Sequence, residues 1–333
     1  RKSSPHLWPN SNIQARPAPS TAMSGSNLSR SQAWVAAARP QTLPAAAAPV
    51  IVGAGLAIND GVFALVPAVA AFVGAALIQI GTNFANDYYD AIQGADTDDR
   101  EGFTRVTQAG LIEPSQVKAA MYLTFAAAIA VGSYLVYVGG VPILLIGLLS
   151  VASGIAYTGG PYPLGYHGLG DLFVFVFFGV IAVTGTYYVQ AAAVLAMPLT
   201  TTIPPGTITV EAVVASLPVA AISTNILVVN NIRDKAEDET TGKRTLAVRF
   251  GYRVSRAEYL GLSGLAYLVP LWLWLATPFG PAVLLPLLTL PIAARVAETV
   301  CTETSGEALN PALETTGKLL AGYALLFAVG VAI

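Results

Sequence analysis

From residue 41 onward the chain is a succession of long apolar runs broken by short polar segments, and this pattern limits it to helices that cross a bilayer. Nine runs are read, at approximately 41–58, 62–85, 119–138, 141–157, 169–195, 210–232, 257–275, 281–297 and 316–333. Each is near the ~20 residues that an α-helix needs to cross a hydrocarbon core about 30 Å thick. The runs on either side of Gly139-Gly140, and those on either side of Thr277-Pro278-Phe279-Gly280, are separated by turn signals alone. The predicted fold class is all-α: a polytopic membrane protein of nine transmembrane helices. Composition agrees, with 54% of residues apolar and only 11% charged, against roughly 25% charged in a soluble domain.

Charge distribution tests the span count. With the amino terminus on the cytoplasmic side, the inside segments are the amino-terminal tail, 86–118, 158–168, 233–256 and 298–315. All 17 Lys and Arg residues fall in these segments or at their helix ends, and the outside segments hold none. Positive residues in short loops set orientation, so an error of one span would destroy the segregation. A net charge of −2 gives no basic excess for nucleic acid. One cysteine, Cys301, and two histidines, His6 and His167, rule out an internal disulfide and make a zinc site a poor expectation.

The first 40 residues are rich in Ser, Pro, Asn and Arg, contain no acid, and show no apolar period. Residues 1–33 are read as a disordered, processed or extraneous tail and residues 34–333 as the membrane domain. The tail is also Arg- and Ser-rich and acid-poor in the manner of a plastid transit peptide, so a plastid membrane stands as the alternative to the plasma membrane.

Two inside loops carry the chemistry. The first reads NFANDYYDAIQGADTDDREGFTRVTQAG from Asn83, and the second NNIRDKAEDETTGKRTLAVRFG from Asn230. At 100° per residue Asn83, Asn86, Asp87 and Asp90 share an arc of about 100°, while Asn230, Asp234 and Asp238 repeat at i, i+4, i+8. Like charges stacked in this way repel unless a cation neutralises them. Oxygen-only donors suit Mg²⁺, which takes one or two carboxylates and leaves positions for water and phosphate oxygens. Arg105 follows the first cluster, and Arg233, Lys235, Lys243 and Arg244 surround the second, supplying donors for phosphate. Carboxylate clusters beside cations describe a pyrophosphate pocket. An ion-coupled transporter is the reading from another class, but its carboxylates would sit near the bilayer midplane on broken helices, whereas these sit at helix ends.

Asn86-Asp87-x-x-Asp90 followed by Asp96, with Asp234-x-x-x-Asp238-x-x-x-Gly242-Lys243, resembles the two aspartate-rich motifs of the UbiA superfamily of intramembrane prenyltransferases. ARPQTLPAAAAPVIVG, TQAGLI, YTGGPYPLGYHGLGDLFVFVFFG, GTYYVQ and NNIRD…GKRTLAVRFG are similar to the 1,4-dihydroxy-2-naphthoate, or MenA-type, branch. The fuller first motif has a third Asp four residues after the second, where this chain has Gly94, and Asp96 is the substitute.

The resemblance implies Mg²⁺-dependent transfer of a prenyl chain from its diphosphate to 1,4-dihydroxy-2-naphthoate with loss of CO₂ and pyrophosphate. The sister acceptors hydroxybenzoate and homogentisate are the alternatives, and phytyl, octaprenyl and longer donors all remain open. It also implies a UbiA-type nine-helix bundle around a central cavity capped by the two polar cytoplasmic loops, and roles for particular residues. Asn83, Asn86, Asp90, Asp96, Asp234 and Asp238 form the metal set, and Asp87, Asp90, Asp234, Asp238 and Lys243 the catalytic set. Arg105, Arg233, Lys243 and Arg244 bind diphosphate. Tyr88, Tyr89, Tyr157 and Tyr162 offer ring faces to an allylic cation. The expected partners are the prenyl diphosphate, the aromatic acceptor and the lipid bilayer.

Overall fold

The structure is a computed structural model that describes residues 28–93 and 106–333. Among the described residues every regular element is helical. The helices are α1 (Arg30–Ala38), α2 (Leu43–Asn59), α3 (Leu65–Gln93), α4 (Pro114–Ala156), α5 (Gly170–Val194), α6 (Val210–Arg233), α7 (Lys235–Thr241), α8 (Leu246–Ala276), α9 (Pro281–Thr302) and α10 (Gly306–Ala332).

Among the described residues, eight segments are long and apolar enough to cross a membrane, and α4 accounts for the difference from the nine runs. Its 43 residues would extend about 65 Å at 1.5 Å per residue, twice a hydrocarbon core. It is two passes joined at Gly140, whose backbone leaves the helix at φ 68°, ψ −153°. A side chain there would meet the Thr200 carbonyl at 2.0 Å, and that carbonyl accepts a hydrogen bond from Val141 N at 2.8 Å. The Gly139-Gly140 pair is therefore the turn that the sequence marks. The chain is a multi-pass membrane protein, and the described residues hold nine apolar helical passes when α4 is counted as two.

Several boundaries differ from the sequence reading, among them that of α10, which starts at Gly306, ten residues before the predicted run. Helix α3 runs to Gln93, two turns past the apolar run, so Asp87 and Asp90 stand on a continuous helix. Helix α8 starts at Leu246, with a break at Gly251, because Thr245 Oγ1 accepts from Val248 N at 3.4 Å and caps it. Helix α1 forms within the stretch that composition marks as tail. Ser29 and Gln32 make a reciprocal capping box, and Ala33 and Ala37 are buried against the start of α4 and the end of α3, a contact too small to show as periodicity.

The core is built on α6, which packs against α8, α5 and α10. Small residues let the helices close up: a Cβ on Gly179 of α5 would lie 2.1 Å from the Ala220 Cβ of α6. Tyr187, Ile222, Leu273, Leu320, Tyr323 and Phe327 fill the centre. At the end opposite the loops described next, Tyr187 Oη donates to Asp60 Oδ2 at 2.6 Å. At the near end, Arg233 Nη1 donates to Asn310 Oδ1 at 2.8 Å, tying α6 to α10.

Candidate active site

A cavity of about 1330 Å³ lies between α2, α3, α4, α5 and α6, larger than the usual 300–1,000 Å³ of a drug-sized pocket. Ala71 and Asp90 of α3 both line it, which gives it a length of about 28 Å along that helix. Most of the wall is apolar: Phe173, Phe177 and Ile181 come from α5, which widens into π-helical turns over Phe175–Ile181. Val35, Ile129 and Leu148 line the cavity and are more than half exposed, so it is open between the helices.

The polar end is where the two sequence clusters meet. Asn86 and Asp90 from α3, Asn230 and Asn231 from α6, Asp234, Asp238 and Lys243 all line it. Asp90, Asp234 and Asp238 are buried. The Lys243 ammonium is 3.9 Å from Asp238 Oδ1. Asp234 ends α6 and Asp238 lies in the first turn of α7, and the Asp238 N–H donates to the Asp234 carbonyl at 2.8 Å, so the i, i+4 spacing survives the change of helix. Asn230 Nδ2 donates to Asp234 Oδ2 at 3.1 Å.

Two hydroxyls absent from the sequence expectations hold these donors in place. Tyr166 Oη donates to Asp90 Oδ1 at 2.7 Å, and Thr158 Oγ1 donates to Asn86 Oδ1 at 2.9 Å. Both lie in YTGGPYPLGY, whose residue types flag a turn but not which hydroxyl reaches which carboxylate. Asn231 reaches back to the buried Asp171 at 3.4 Å. Tyr157 is half-buried on the cavity wall.

Other expected site residues have different surroundings. Asp87 is at the edge of the arc, is absent from the cavity wall, and accepts from Thr107 Oγ1 at 2.7 Å and Thr107 N at 3.2 Å. Asn83 lines the cavity, but its amide donates to the Ala38 carbonyl and to Thr42 Oγ1, both at 2.9 Å, and accepts from Gln79. It fastens the α1–α2 turn. Arg233 is buried behind Asp234 with hydrogen bonds to Asp234, Asn230 and Asn310.

Arg244 is exposed, and its backbone N–H donates to the Tyr166 carbonyl at 2.8 Å. Tyr88 and Tyr89 make an edge-to-face pair in an apolar cluster, with Lys118 over the Tyr88 ring at 5.6 Å. Tyr162 is exposed and stacked on His167. Of the four tyrosines, Tyr157 alone lines the cavity. Asp96 and Arg105 lie outside the described residues.

The donor set fits Mg²⁺ in its chemistry: carboxylate and carboxamide oxygens, no thiolate or imidazole. Among the described residues no three His, Cys, Asp or Glu converge closely enough to hold an ion unaided.

The model of the UbiA prenyltransferase family matches residues 46–309, which takes in both carboxylate clusters. The chain belongs to the UbiA prenyltransferase family. Two curated relatives, from Mycobacterium tuberculosis and Escherichia coli, are each 37% identical to it, over 89% and 93% of this chain and 95% and 98% of their own. Both are named 1,4-dihydroxy-2-naphthoate octaprenyltransferase.

Among solved structures, a UbiA homologue from Aeropyrum pernix superposes with a TM-score of 0.61 at 16% identity, covering 86% of this chain and 96% of that one. A UbiA homologue from Archaeoglobus fulgidus bound to DMAPP and Mg²⁺ gives 0.53 at 14% identity, covering 89% and 99%. At such identities the likeness is one of fold.

Proposed function

We propose that this UbiA-family chain is the enzyme that transfers a prenyl group from a prenyl diphosphate to 1,4-dihydroxy-2-naphthoate, releasing pyrophosphate and CO₂ and giving a demethylmenaquinol or its phytyl counterpart. The observation that carries this is the polarity of the cavity: two carboxylate clusters and a lysine at one end of a space about 28 Å long, with mostly apolar wall behind them. A diphosphate and its hydrocarbon tail need these two environments joined in that order. The names of the bacterial relatives support the acceptor.

Asn86, Asp90, Asp234 and Asp238 would hold Mg²⁺, with Asp96 as a further candidate, and the bound ion would offset negative charge on the leaving diphosphate. Lys243 donates to the diphosphate oxygens, and Arg105 is proposed as a further diphosphate donor. Arg233 and Arg244 act at one remove, through Asp234 and through the 157–169 turn. Asp87 and Asn83 keep α3 in register with its neighbours, so that Asn86 and Asp90 face the cavity.

The allylic C–O bond breaks with its electron pair leaving on the diphosphate. The acceptor ring carbon then forms the new C–C bond, and the carboxylate on that carbon departs as CO₂. The apolar wall keeps water from the cation, and the Tyr157 ring is the face offered to it. Tyr88, Tyr89 and Tyr162 serve as packing and interfacial residues.

The protein is placed in the plasma membrane with its amino terminus and polar cavity end on the cytoplasmic side, where the positive residues gather. We propose residues 34–333, together with the first turn of α1 from Arg30, as the catalytic unit. The test is an assay in detergent or lipid with a panel of prenyl diphosphates, with and without Mg²⁺. A prenylated naphthoquinol should form with wild type and be lost in Asp234→Asn. Product from hydroxybenzoate or homogentisate in its place would reassign the acceptor.

A further inference from the structure

The turn between α4 and α5 joins the two carboxylate clusters, and Tyr166 is where it does so. Its hydroxyl donates to Asp90 Oδ1 at 2.7 Å on the first cluster. Its ring lies under the Lys243 ammonium, 5.0 Å from the centroid, on the second. The turn itself is fastened to the second cluster's loop. Arg244 N donates to the Tyr166 carbonyl at 2.8 Å, and Arg249 Nη2 donates to the His167 carbonyl at 2.9 Å. Gly168 crosses so near that a Cβ there would be 2.8 Å from the Arg244 carbonyl oxygen.

We infer that Tyr166 is a positioning residue that sets Asp90 for the metal and Lys243 for the diphosphate together, so that the two halves of the site are assembled as one unit. The inference rests on the prenyl-diphosphate reading above. The hydroxyl and the ring do separate jobs. The hydroxyl bonds one oxygen of Asp90 and fixes the carboxylate's rotation toward the cavity that it lines. The ring's negative face attracts the ammonium and competes with Asp238 for it, keeping Lys243 over the cavity instead of collapsed onto that carboxylate.

The test compares wild type, Tyr166→Phe and Tyr166→Leu as full chains. Two readouts are taken: thermal stabilisation by Mg²⁺ with inorganic pyrophosphate, and KM and kcat for the prenyl diphosphate. Phe keeps the ring and loses the hydroxyl. The Mg²⁺ concentration for half-maximal stabilisation should rise about tenfold, as expected for losing a hydrogen bond to a charged group, with KM for the diphosphate changed less than twofold. Leu removes the ring as well and should raise that KM about two- to fivefold further. Tyr166→His, which restores a donor on a flat ring, should recover part of the Mg²⁺ affinity.

Tyr166→Phe with wild-type Mg²⁺ dependence overturns the inference. So does a lower melting temperature in all three variants with both dependences unmoved, since that is the mark of a packing residue. If Tyr166→Leu does not fold, Tyr166→Phe decides alone, because it removes one oxygen and no packing. Wild type that neither turns over prenyl diphosphate nor gains stability from Mg²⁺ and pyrophosphate would instead sink the function on which the inference rests.

Discussion

Arg233 grips its neighbour Asp234 with two nearly parallel hydrogen bonds, Nε to Oδ1 at 2.6 Å and Nη2 to Oδ2 at 2.9 Å, and both side chains are buried. The contact turns the aspartate at the end of α6 into a fixed post on the cavity wall. It also withdraws Arg233 from the substrate side.

Removing the guanidinium leaves a buried carboxylate without its counter-charge. Arg233→Met is expected to destabilise the protein by about 3–5 kcal/mol and to abolish turnover. Arg233→Lys should recover little, since an ammonium cannot reproduce the fork. Melting curves in detergent, alongside turnover, check this; an unchanged melting temperature for Arg233→Met would contradict it.

Asp87 and Asp90 are three residues apart on one helix, yet they should fail in different ways. Asp87→Ala breaks the link to Thr107 and should cost about 1–3 kcal/mol of stability, leaving the Mg²⁺ dependence of the residual activity in place. Asp90→Ala should melt within a few degrees of wild type and lose nearly all activity, with its Mg²⁺ dependence shifted to higher concentration. Parallel Mg²⁺ titrations and melting curves separate the two.

Glycines on α4 give a contrast between a hinge and a cavity wall. Gly140→Ala puts a Cβ into the Thr200 carbonyl in a left-handed conformation and should lower the yield of folded protein sharply. Gly147 lines the cavity with open space where a side chain would go. Gly147→Phe should fold normally and shift donor preference toward shorter prenyl chains, read as the ratio of kcat/KM for geranyl and octaprenyl diphosphates.

The parts of this molecule legible in the sequence are those that local periodicity encodes. Apolar run lengths give nine spans because each helix must satisfy its own backbone in lipid, and the Gly139-Gly140 pair marks the break in α4. Helical spacing brings Asn86 to Asp90 and Asn230 to Asp234, both of which face the cavity. Direction within an arc was not legible. Asp87 is 100° from Asn86, and only the position of Thr107 turns it away.

Tertiary partners were likewise hidden. Nothing local distinguishes Tyr166, bonded to Asp90 76 residues away in the chain, from Tyr162 four residues earlier, which stacks on His167 at the surface. Arg233 reads as a free cation beside acids, and its withdrawal depends on Asn310 in another helix.

The most direct measurement uses 1,4-dihydroxy-2-naphthoate labelled in its carboxylate, incubated with purified wild-type protein, a prenyl diphosphate and Mg²⁺. Labelled CO₂ and pyrophosphate should appear in equal amounts with the prenylated product, and none of them when Mg²⁺ is chelated or Asp234 is changed to Asn. Pyrophosphate released without labelled CO₂, across donors from geranyl to octaprenyl diphosphate, would contradict the assignment of this acceptor to the site.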